Sequence, residues 1–124
     1  MFPTRRKNAQ SAAEGSLFRA KVAFQARIID ISDCDEKDAT FTVEHEIDVD
    51  GHDIIYTETF INDLDDPRVK TLLRDLAPYN VTADNLNDAI GFREEITMAE
   101  VYKPSRGKTY WNIRTRKILG PETE

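Results

Sequence analysis

The residues best equipped for chemistry gather toward the C-terminal end of the chain: Tyr102, Lys103, Arg106, Lys108, Tyr110, Trp111, Arg114 and Arg116. A single-stranded nucleic acid is held by cations along its phosphates and by flat side chains on which bases stack, at about 1 to 3 kcal/mol per base. This segment interleaves both kinds of group. If Trp111 and Ile113 face a core, strand alternation sends Lys108, Tyr110, Asn112, Arg114 and Arg116 to the opposite face. A second set of cations, Arg19, Lys21 and Arg27, takes the outward positions of an alternating segment near the N-terminal end. Tyr56 is a further aromatic candidate for stacking, although aromatics in strands are most often core residues.

Other chemistries find little to work with. There is no GxSxG, no phosphate-cradling GxxxxGK[ST] and no clustered glycine. Glu94 and Glu95 are adjacent on a strand pattern, so they point to opposite faces and cannot share acid–base work. Cys34 sits among Asp33, Asp35 and Glu36, which disfavour a thiolate nucleophile. The run Asp48, Asp50, Gly51, Asp53 looks like part of an EF-hand loop, but counting from Glu46 puts Thr57 where the bidentate Glu belongs. His45 and His52 lack any zinc-like spacing, and His45, on the apolar side, reads as a satisfied interior residue. No enzyme activity, metal or cofactor is expected.

These groups must be positioned by a small scaffold. The 124 residues are 40% hydrophobic and 32% charged, enough for one folded domain. No apolar run approaches the roughly 20 residues needed to cross a bilayer. With no secretory-type leader and a single cysteine, a cytoplasmic location without membrane contact is expected. Residues 1–16 are polar and aperiodic and read as an arm, residues 17–120 as the domain, and 121–124 as a short tail. Alternation runs from Phe18 to Ile28, and the run Ile28, Ile29, Ile31 breaks it as a bulge would. An acidic loop follows, then Phe41, Val43, His45, Ile47 and Val49 alternate with polar residues. Asp50-Gly51 makes a hairpin turn into a third strand. Asp65 or Asp66 caps a helix over residues 67–77, with a short second turn near Leu86. The last two strands join through Pro104-Ser105-Arg106-Gly107.

The order is β-β-β-α-β-β, mainly β with one helix. Over residues 18–119 it resembles the OB-fold, a five-stranded Greek-key barrel, and within it the small single-stranded-DNA-binding proteins of phages and mobile elements. The likeness is one of topology and no signature peptide carries it. It implies a role in replication or recombination. It also implies that the fourth and fifth strands lie beside the first, merging Arg19, Lys21 and Arg27 with the C-terminal cations.

Charge pattern adds the reason this matters. Net charge is −6, yet residues 1–27 carry +5, residues 101–124 carry +4, and the stretch between them −15. The expected partner is single-stranded DNA or RNA, bound with little sequence preference. The alternative is a protein-interaction or assembly module, such as an acidic inhibitor, whose middle segment engages a basic partner. Sheet edges pairing between copies would give a homo-oligomer. The acidic residues Asp33, Asp35, Glu36 and Asp38 in the first loop oppose phosphate there.

Overall fold

A computed structural model describes residues 18–35 and 39–121. The expected arm, the tail beyond 121 and the centre of the acidic loop lie outside the described residues. Five strands form: β1 (Ala23–Asp35), β2 (Thr40–Val49), β3 (His52–Ile61), β4 (Phe92–Lys103) and β5 (Lys108–Pro121). One helix, α1 (Pro67–Leu76), and two 3-10 turns, Ala77–Tyr79 and Ala83–Ala89, connect β3 to β4.

The cleanest alternation gives the cleanest strand. Phe41, Val43, His45, Ile47 and Val49 of β2 are all buried, and the residues between them are not. Asp50 and Gly51 both take positive φ, 54° and 86°, the twist that a two-residue hairpin requires. In β1 the pairing to β2 slips between Ile28 and Asp30, so Ile29 is the extra residue of a bulge, at the place where three isoleucines interrupt the period. The first strand nevertheless starts later than its alternation predicts. Lys21 has a φ of 66°, which turns the chain. Phe18 thereby drops into the core against Trp111 and Phe24, and Val22 is left exposed.

α1 begins where Asp66 accepts hydrogen bonds from the backbone N–H groups of Arg68 (3.0 Å) and Val69 (3.2 Å), with Pro67 at its first position. Val69, Leu72 and Leu76 recur at helical spacing and are the buried face. Asp66→Ala leaves those donors to water alone, and urea unfolding followed by circular dichroism is expected to show a loss of about 1 kcal/mol. An unchanged midpoint would mean that packing, not the cap, holds the helix start.

The strands make one antiparallel sheet in the order β3-β2-β1-β4-β5. Among the described residues no backbone ladder joins β3 to β5, so the sheet is not closed, in contrast to the barrel expected from sequence. Side chains span that seam instead. Tyr56 donates to Asn112 Oδ1 at 3.3 Å, and Arg116 Nη2 lies 2.7 Å from Glu58. Two apolar clusters fill the inside, one under α1 around Phe60, Leu72 and Phe92, the other around Phe18, Phe24 and Ile96. No helix among the described residues is long and apolar enough to cross a membrane.

Candidate nucleic-acid interface

The β4–β5 hairpin carries exposed cations at its tip. Its turn is closed by hydrogen bonds from Arg106 N to Lys103 O (3.0 Å) and from Gly107 N to Pro104 O (3.2 Å), with Gly107 at positive φ. β4 pairs with β1 only as far as Thr97, so its end and the start of β5 project past that neighbour. Tyr102 is 61% exposed. Lys103, Arg106 and Lys108 are exposed as well, and Lys103 Nζ lies 5.9 Å from the centre of the half-buried Tyr110 ring. Lys103 sits directly opposite Lys108 in the ladder. Like charges facing each other across a strand pair are unfavourable, and no carboxylate among the described residues pairs with either.

The first-strand cations behave differently. Arg19 makes a two-pronged pair with Asp50 (2.9 and 3.1 Å), and Arg27 Nη2 reaches Glu46 at 2.6 Å. Acidic residues of β2 and its turn therefore neutralise these two, so among the described residues Arg19 and Arg27 do not join the C-terminal cations in one free stripe. Lys21 is exposed at the left-handed turn. Trp111 is half-buried against Phe18, with ring centres 5.9 Å apart, on the inner side of the hairpin. Tyr56 likewise faces inward, half-buried at the seam, where burial first and the Glu58 charge second push its pKa up to about 12. Its hydroxyl stays protonated and donating.

Arg116 corrects the sequence reading most sharply. The β4–β5 register slips between Thr97 and Met98, whose partners are Thr115 and Ile113, so Arg114 is the extra residue. That bulge inverts the alternation. Ile113 faces in, Arg114 is exposed, and Arg116, expected on the outer face, enters the interior with its side chain only 10% exposed. There it meets Glu58 of β3, Glu94 of β4 and His45 of β2, each flanked along its own strand by residues of the two apolar clusters.

The four side chains form a charged layer between the clusters. Arg116 Nη2 is 2.7 Å from both Glu58 oxygens, and Arg116 Nε faces Glu94 Oε1 at 3.6 Å, too long for a hydrogen bond. His45 Nδ1 lies 2.6 Å from Glu94 Oε2 and Nε2 lies 3.0 Å from Glu58 Oε1. A neutral imidazole has one donor, whereas two carboxylates here ask for two, so the geometry calls for the imidazolium. Burial pulls the His45 pKa down, but its bonds to Glu58 and Glu94 and their charges outweigh that and raise it to about 8. For Glu58, burial works upward, yet the His45 bond and the Arg116 charge hold it below the ordinary carboxylate range. No ring lone pair is left over for a metal.

A pH dependence follows. The raised His45 pKa contributes stability in full below about 6.5 and loses it as pH climbs through 8, roughly 2 kcal/mol. The depressed Glu58 pKa contributes above about 4.5 and loses it as pH falls below that. Urea midpoints measured across pH are expected to fall on both sides of this window. In His45→Gln the alkaline fall should vanish, and its persistence would refute the assignment.

The sequence flagged His45 as interior, passed over Glu58, and weighed Glu94 only beside Glu95 for acid–base work, not as a buried partner of His45. Their inward parity was available, Glu58 between Tyr56 and Phe60, Glu94 between Phe92 and Ile96. Arg68, on α1, was also missed, and it donates to Thr59 O (3.0 Å) and Glu58 Oε2 (3.2 Å). Compared with protein-family models, curated proteins and solved structures, the chain finds no match.

Proposed function

We propose that the chain is a non-enzymatic OB-like module that binds single-stranded DNA with little sequence preference, in the replication or recombination of a phage or similar mobile element. The observation that carries this reading is the β4–β5 tip, where Lys103, Arg106 and Lys108 stand without carboxylate partners among the described residues, beside Tyr102 and Tyr110. The strand order, with the helix between β3 and β4 and an unsealed seam, supports the OB-like assignment, since that fold is a partly open five-stranded barrel. On the hairpin the phosphate contacts narrow to Lys103, Arg106, Lys108 and Arg114, because Arg116 already faces Glu58; near the first strand Arg19 and Arg27 face carboxylates, which leaves Lys21 there.

The acidic face favours the rival, a protein-interaction module. Asp30 sits opposite Glu44, and Asp48 opposite Asp53, on the outer side of β1–β2–β3. A nucleic acid cannot lie over that side, whereas a basic protein could. Titration with oligo(dT), read by Trp111 fluorescence, separates the two. The four hairpin contacts alone give a slope of log affinity against log salt of about −2.8. No binding at about 50 mM salt by a folded sample leaves the rival ahead.

A further inference from the structure

The seam between β3 and β5 opens outward as a groove with two lobes of about 450 and 480 Å³, sharing Glu58, Arg68 and Ile113 in their walls. Arg68, Arg74, Lys103, Arg114 and Arg116 line it, against the carboxylates Glu58 and Asp75. Neither carboxylate is free. Glu58 is held by His45, Arg116 and Arg68, and Asp75 faces Arg74 at 3.4 Å. The groove is thus cationic, and each lobe is large enough for a nucleotide.

Arg68 is the distinctive wall. Its two terminal nitrogens donate to Thr59 O and Glu58, and its guanidinium lies 4.7 Å over the Phe60 ring. Two of its five N–H donors are used in this way and one face is covered, yet the side chain is 57% exposed, so its other flat face is open to the groove along with the remaining N–H groups. A planar cation fixed at its edge and backed by an aromatic ring is a stacking platform for a base. Arg114, turned out of the ladder by the bulge, is exposed on the β5 wall and has no ion pair among the described residues. Arg74 stands on the α1 wall with a 74% exposed side chain.

We propose that this groove holds one nucleotide of the bound strand, its base on the open face of Arg68 and its phosphate on Arg114, with Arg74 adding charge. The proposal rests on the single-strand reading above and extends the path from the hairpin tip to the seam. A base stacked on a guanidinium has its hydrogen-bonding edges unread, which matches binding with little sequence preference.

The test uses the full chain and a fluorescein-labelled oligo(dT) of about 12 nucleotides, within the span one such fold covers. Arg68→Lys keeps the charge and loses the plane. It should weaken binding about tenfold with an unchanged salt slope. Arg114→Ala, at an exposed site that does not endanger folding, should flatten the slope by about 0.7. If both variants bind as the parent does while Arg106→Glu/Lys108→Glu does not, the groove is off the path and the hairpin reading alone stands. A changed slope in Arg68→Lys refutes the stacking role, and no binding by the parent chain removes both proposals.

Discussion

Glu58→Ala is expected to lower the free energy of unfolding by about 3 to 5 kcal/mol, a large share of the 5 to 15 kcal/mol typical of a domain. The reason is what the deletion leaves behind. Arg116 loses its 2.7 Å partner and His45 loses its Nε2 acceptor, while His45 stays fully buried and Arg116, at the floor of the seam groove, only 10% exposed. Two cations then share Glu94, whose contact to Arg116 is only 3.6 Å. Glu58→Gln keeps the shape without the charge and should fall nearly as far. Replacing the whole layer, His45→Leu with Glu58→Leu, Glu94→Leu and Arg116→Met, removes every desolvated charge at once and should be neutral or stabilising. Urea unfolding measures all three. A Glu58→Ala loss under about 1 kcal/mol would show that water reaches the layer and that the interior is less closed than its geometry implies.

Reversing charge at the hairpin tip is the other large effect. Arg106→Glu/Lys108→Glu deletes two of the proposed phosphate contacts and sets two carboxylates in their place, beside Lys103. At low salt, affinity for oligo(dT) should drop by about 100-fold or more, and the salt slope should flatten by about 1.4. Arg27→Ala is the matched control. Because Arg27 already faces Glu46 at 2.6 Å, its loss should change affinity by less than about threefold. Equal losses at the two sites would restore the continuous stripe that the charge pattern of the sequence implied. The folded state of the reversed variant is checked by circular dichroism, and its exposed turn gives no reason for it to melt early.

Local rules carried much of the architecture. Alternation from Phe41 to Val49, the Asp50-Gly51 turn, a break at Ile28 to Ile31 and a cap at Asp65 or Asp66 each act over a few residues and are visible in the residues themselves; the structure resolves the last two to a bulge at Ile29 and a cap at Asp66. What escaped depends on distance along the chain. Arg19 and Asp50 are 31 positions apart and Arg27 and Glu46 are 19 apart, so dividing the sequence into basic and acidic blocks hid the fact that the blocks neutralise one another across strands. Phe18 leaves the strand because Lys21 turns the chain, which alternation alone cannot foresee. Arg116 went to the wrong face because a single extra residue, Arg114, reverses everything after it. Of the candidate interface, the hairpin tip was legible as a local cluster. The groove was not, since α1, β3 and β5 meet there only in three dimensions.

The enclosed ionic layer also settles how the strands align. Apolar alternation repeats every two residues, so a strand displaced by two positions still turns its hydrophobic side inward. His45, Glu58, Glu94 and Arg116 forbid that displacement in β2 to β5, because each of these four strands carries one charged inward position and the four must arrive at the same height. A slip of β4 by two would strand Glu94 among hydrocarbon and put Phe92 or Ile96 against an imidazolium. The layer therefore acts as a vernier on the sheet, admitting one alignment where greasy side chains alone would accept several.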